Sequence, residues 1–230
     1  MRSRQLWIGV ALVLVGVASA CCADSEPTMA DCAEVGASAA VGLAEMYVEG
    51  LIRTMVVLAA TAPVKSASWD AMFSLLETFQ IASLPMATWF VLPDGSYHTV
   101  SGGRSSANLS DRDYFPVVMS GQIATGYVVI SRSTGRVSMV TAVPAMLEGD
   151  IVGALGVSLF LDDFSLVIAD DLNLPAGVVF YAATGDGRIA LHSDPDVLSA
   201  DVAEAGVITE ETATFMSQLL GWTFGVGPAQ

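Results

Sequence analysis

The stretch that decides the fold runs from Ser110 to Phe164: SDRDYFPVVMSG (110–121), GYVVISRSTGRVSMVTAVPAM (126–146) and GDIVGALGVSLFLDDF (149–164). Ser110 and Asp113 have the S-x-x-D spacing of a capping box, which predicts a helix starting at Ser110. Pro116 falls in its first turns and Gly121 is a natural terminator. Tyr127–Ser131 is β-branched and aromatic, and Ser133, Thr134 and Gly135 supply turn chemistry after it. Val137–Met146 reads as the next strand. Glu148-Gly149-Asp150 then turns it into Ile151–Leu161. Two adjacent hairpins make an antiparallel meander.

The last of these strands has two different faces. Ile151, Leu155, Val157, Leu159 and Leu161 recur at period two and call for helices over them. Val152, Ala154, Gly156, Ser158 and Phe160 form the other face, which is mostly small. The volume beside such a face is filled either by a closely packed helix or by a ligand.

Outward from the meander, residues 28–62 read as a long helix that Pro63 stops. Val41, Ala44, Val48, Leu51, Met55 and Leu58 form its buried stripe, and Gly36, Gly42 and Gly50 are points where it could break. A second helix is expected to start at Ser68 and stop before Pro85, with Trp69, Phe73, Leu76 and Phe79 or Gln80 inward. A hairpin follows: Ala87–Leu92, the turn Pro93-Asp94-Gly95, and Ser96–Val100. Ser101–Asn108, rich in Gly and Ser, reads as a loop, which makes Arg104 and His98 secondary pocket candidates. After Phe164 the pattern predicts a helix over Ser165–Leu172, strands over Gly177–Ala183 and Arg188–Ser193, a helix over Glu210–Leu220 and a final strand over Trp222–Val226.

DRDYF, then STG, then a strand ending in VP, then GALGVSLFLDDF resembles the Cache domains in order and spacing. These are PAS-like extracytoplasmic sensor modules of chemoreceptors and sensor kinases. The resemblance implies an α+β fold of the double-Cache type, with a long N-terminal helix packed on a PAS-like antiparallel sheet. It divides the chain into a leader (1–20), a ligand-binding domain (28–164) and an abbreviated second α/β lobe (165–230) that resembles a membrane-proximal one. It also implies a small-molecule pocket formed by Arg112, Tyr114, Phe115, Tyr127, Ser131 and Ser158. In the amino-acid-binding subset of the family, an aspartate that takes the ligand ammonium falls at Ser158 here. Serine cannot supply that charge, so the expected ligand is a small organic acid. Arg112 either turns inward to hold its carboxylate in bidentate fashion or pairs locally with Asp111 or Asp113, and the resemblance favours the first. Tyr114 and Phe115 should divide between pocket and core.

The N-terminus reads as an export signal. Arg2 and Arg4 precede the apolar run Leu6–Ala20, and Ala18-Ser19-Ala20 stands before Cys21. A lipoprotein leader with Cys21 lipidated is the first reading, a plain cleaved signal the second and an uncleaved anchor the third. All three place the rest of the chain outside the cytoplasm, in the cell envelope. Cys22 and Cys32 are then available to pair in an oxidising compartment. Beyond the leader stand 24 acidic residues against seven basic ones, a formal charge of −17 that disfavours nucleic acid and anionic lipid as partners.

The chain contains two histidines, His98 and His192, and neither a G-x-S-x-G nor an H-E-x-x-H motif, so no enzyme is expected and no cofactor or metal is called for. His192, Asp194 and Asp196 could gather a metal, yet S-D-P-D is ordinary turn chemistry. The expected function is a lipid-anchored sensor module without its own output, signalling through a membrane signalling or transport partner. The alternative is a structural or interaction lipoprotein with no pocket.

Overall fold

The computed structural model describes residues 29–210 and 212–229. The leader, Cys21 and the Cys22–Cys32 pairing therefore lie outside the described residues. The chain forms two antiparallel sheets that share one long helix, α1 (Met29–Ala59). α1 runs unbroken through all three glycines. Gly42 and Gly50 face open space, and Gly36 lets the helix sit against Val226 and Leu174. It ends at Ala59, before the predicted stop, because Pro63 instead opens a short helix, α2 (Ala62–Lys65). α3 (Trp69–Ala82) follows, its inner face made by Met72, Leu76 and Phe79, with Phe73 only half-buried.

The larger sheet contains β1 (Met86–Val91), β2 (Ser96–Thr99), β3 (Gly103–Asn108), β4 (Ala124–Ile130), β5 (Val137–Leu147) and β6 (Asp150–Phe160), in the order β3-β2-β1-β6-β5-β4. The meander β4-β5-β6 is as the sequence predicts. β1 inserts on its far side, pairing with β6 from Met86↔Leu159 to Val91↔Ala154. β3 corrects the expected loop. Its Gly- and Ser-rich sequence has weak strand propensity, but the edge position beside β2 needs only one partner and little packing. The helix after it, α4 (Tyr114–Met119), starts four residues later than the capping box suggests. The Ser110 backbone N–H is bound by the Asn108 side chain instead, which holds 110–113 as a turn. Gly121 ends α4 with φ +88°, as expected.

β6 leads directly into α5 (Leu161–Leu172), which crosses the 164/165 boundary and leads to the smaller sheet. That sheet comprises β7 (Val178–Ala183), β8 (Ile189–His192), β9 (Ala213–Met216) and β10 (Thr223–Pro228), in the order β8-β7-β10-β9. β9 overturns the helix expected over Glu210–Leu220. Thr212, Thr214 and Phe215 disfavour a helix, and the Thr212 hydroxyl accepts from the Thr209 N–H while Ala213–Met216 pair with β10. Ser217 then turns the chain, its hydroxyl donating to Glu45 of α1 at 2.8 Å.

One face of the larger sheet, carrying Phe90, Met139, Leu155, Val157 and Leu159, buries itself under α1 and α3. The same apolar cluster continues into Phe180, Trp222, Phe224 and Val226 of the smaller sheet. The opposite face holds a separate cluster of Trp89, Tyr97, Leu109, Tyr114, Phe115, Val140 and Ala154, roofed by α4. The small-residue face of β6 belongs to this second cluster, where the candidate site lies.

Candidate functional site

Between β6 and the turn before α4 lies a cavity of about 20 Å³, lined by Trp89, Tyr97, Leu109, Arg112, Tyr114, Val129, Ser131, Arg132, Ser133, Val140 and Ser158. Four of the six candidate residues therefore converge on it: Arg112, Tyr114, Ser131 and Ser158. Phe115 is nine-tenths buried in the cluster under α4 and does not reach the cavity. Tyr127 stands one ring back, its edge against Tyr114 with centroids 6.1 Å apart. The secondary candidates lie elsewhere. His98 stacks on Trp69 at 5.1 Å, and Arg104 is exposed on the edge strand β3.

Arg112 occupies the turn immediately before α4, not the first turn of the helix. One guanidinium nitrogen, Nη2, donates to the Ile130 carbonyl at the end of β4, 3.1 Å away. Its Nε is buried and has no partner. The local pairing with Asp111 does not form, because Arg132 grips Asp111 through two bonds of 2.8 and 2.6 Å. That grip holds the Asp111 carboxyl below its ordinary range. Among the described residues no carboxylate forms an ion pair with Arg112.

Tyr97 adds a second orphan. It is 3% exposed, yet its hydroxyl has no partner. Tyr114 is equally buried, and desolvation pushes its phenol up to about 12, so it stays a neutral donor. Ser131 and Ser133 bond each other at the β4–β5 turn, 3.2 Å apart. Ser158 accepts the Trp89 indole N–H at 3.1 Å and retains its own proton to donate. The wall thus carries two guanidinium groups, five hydroxyls and an indole N–H, with no carboxylate among the lining residues.

Sequence reasoning missed Trp89, Tyr97 and Arg132. The β1 hairpin was legible, but which face each residue took depended on the β1–β6 pairing. The available signal was Gly156, directly opposite Trp89. A wider groove of about 450 Å³ runs between the two sheets, bounded by β4, the Thr184–Arg188 turn and Trp222. It takes in Tyr127 but none of the other five candidates. There Gly126, with φ +82°, approaches the Leu220 carbonyl too closely for any Cβ, and its own carbonyl accepts from Trp222 Nε1 at 3.1 Å.

The fold is similar to that of solved sensor domains. The ligand-binding domain of the Pseudomonas fluorescens chemoreceptor CtaA, in complex with L-valine, gives a TM-score of 0.70 at 13% identity, covering 88% of this chain and 98% of that one. The Pseudomonas aeruginosa PAO1 amino acid chemoreceptor PctB, with L-Arg, gives 0.64 at 18% identity over 87% and 93% of the two chains. The fold is the Cache sensor fold. The sensor domain of the V. cholerae histidine kinase DctB shares it with a TM-score of 0.53 at 15% identity, covering 72% of this chain and 80% of that one. No protein-family model matches the sequence, and no curated protein matches it.

Proposed function

We propose that the chain is an extracytoplasmic sensor module that binds a small organic acid in the cavity around Arg112. The observation that carries this reading is the donor set of the wall: a guanidinium without an acidic partner and a buried tyrosine hydroxyl without any, among lining residues that include no carboxylate. An anion would satisfy both orphans. A buried unpaired donor otherwise costs about 1–3 kcal/mol. The solved neighbours CtaA and PctB bind amino acids, and an amino acid needs an acceptor for its ammonium. The cavity wall offers Ser158 at the floor, already bonded to Trp89, which argues for an acid without an amine.

In this reading Arg112 grips the carboxylate, while Tyr97, Tyr114 and Ser158 hydrogen-bond it. Residues 28–164 carry the ligand and 165–230 form the second lobe. The chain is anchored through a lipidated Cys21, which intact-mass spectrometry of the native protein reads directly, and signals through a membrane partner. The small volume of the cavity is what favours the rival reading, a structural lipoprotein whose pocket is closed by packing.

Thermal-shift screening with short carboxylic acids and with L-amino acids separates the two readings, and calorimetry on variants then tests the site. Arg112→Ala should lose about 2–5 kcal/mol of binding, the range for truncating one partner of a buried charge pair. Ser158→Asp should repel the acid and admit an amino acid. Equal affinity in wild type and Arg112→Ala would remove Arg112 from the site.

A further inference from the structure

We propose that the β4–β5 turn is a flap over the cavity, and that the Arg132–Asp111 ion pair is the clasp that shuts it. This rests on the ligand-binding reading above and concerns how a ligand enters. The cavity as it stands has about 20 Å³, the room of one water molecule, so any acid is admitted only when a wall moves. Two parts of that wall are not strand or helix. Leu109 and Arg112 come from the loop before α4, and Ser131, Arg132 and Ser133 come from the β4–β5 turn.

The loop is the fixed side. The Leu109 N–H donates to the Gly95 carbonyl at 2.9 Å, and the Asn108 side chain donates to the Asp94 carbonyl at 2.9 Å, so the β1–β2 turn holds it. The β4–β5 turn is the free side. The Ser131 N–H donates to the Arg136 carbonyl at 2.9 Å, the Gly135 N–H to the Ser131 carbonyl at 2.8 Å, and the Ser131 and Ser133 hydroxyls bond each other. Among the described residues, the hydrogen bonds of 131–135 stay inside this hairpin except those made by Arg132. Arg132 reaches across to the loop, donating to both carboxylate oxygens of Asp111 and to the Asn108 carbonyl. Arg112 reaches back from the loop to the Ile130 carbonyl at the base of the turn. The clasp closes from the solvent side: the Asp111 side chain is 63% exposed and does not line the cavity, while Arg132 is 30% exposed and does. An ion pair so open to water is weak and readily broken. It is thus the cheapest contact to release on the way into a buried polar site.

The test is thiol labelling of the purified full chain without ligand. Ser158→Cys places a thiol on the cavity wall, and Ser165→Cys places one in α5, fully buried and away from the cavity. Each is exposed to methyl methanethiosulfonate, and peptide mass spectrometry reads the labelled position. Position 158 should label about tenfold or more faster than position 165, because a local opening costs less than unfolding. Asp111→Ala cuts the clasp from outside the cavity and should speed labelling at 158 by about fivefold, the factor one exposed ion pair supplies. Thermal melts confirm folding, and Asp111→Asn replaces the alanine variant if that one does not fold. Labelling at 158 as slow as at 165, or an unchanged rate at 158 in the folded Asp111 variant, would overturn the flap. The labelling needs no acid, so the two readings fail separately. Labelling as expected, with no short carboxylic acid raising the melting temperature, would keep the flap and overturn the acid-binding reading.

Discussion

At the scale of single residues, the site is defined by polar atoms left unsatisfied. Tyr97 is the clearest case, because its hydroxyl is buried without a partner. Removing that oxygen should relieve a desolvation penalty in the empty protein and forfeit a hydrogen bond in the occupied one. Tyr97→Phe is therefore expected to melt at or above the wild-type temperature without ligand, yet to bind whichever short carboxylic acid stabilises the wild type about tenfold more weakly. A variant that melts lower and binds equally well would assign the hydroxyl no part in recognition. Arg112 differs from Arg132 for a related reason. Both line the cavity, but Asp111 pairs with Arg132 and leaves Arg112 without an ion pair.

At the scale of elements, β8 carries its own pH sensitivity. His192 is buried, and burial pushes its pKa below the ordinary 6.5, while the Asp194 backbone and charge favour the proton only in part. The unfolded chain therefore takes up a proton first as pH falls. His192 contributes its full stability above about pH 6.5 and loses it progressively below, toward its lower folded value. Melting temperature should fall as pH drops below about 6.5, and His192→Asn should flatten that slope. His98 shifts in the same direction, so the slope should shrink without vanishing. An unaltered slope in the variant would clear His192. The same scale shows what the sequence made legible. The meander was readable because β4, β5 and β6 are consecutive β-branched, apolar segments separated by turns that contain Gly135 and Gly149. β3 and β9 were not, since Ser-rich and Thr-rich segments become strands only beside the partners that tertiary structure supplies. The convergence of Arg112, Tyr114, Ser131 and Ser158 followed from the meander, whereas Trp89 and Tyr97 reached the cavity through the long-range β1–β6 pairing.

At the scale of the whole molecule, α1 joins two sheets into one apolar cluster, from Ala33 and Ala37 near β10 to Met55. Both sheets bury one face in that shared cluster. Unfolding in denaturant should accordingly be a single transition, superimposable by tryptophan fluorescence and far-UV circular dichroism. Two resolved transitions would mean that the sheets are separate folding units. The β1–β6 pairing has a further consequence, for the order in which the chain assembles. Met86 meets Leu159 only after the whole of β2 to β5 has been made, and Gly36 meets Val226 later still. Contacts so distant along the sequence close slowly. A chain emerging N-terminus first from a narrow channel could thus close its larger sheet once β6 is out, while the stretch of α1 around Gly36 waits for β10.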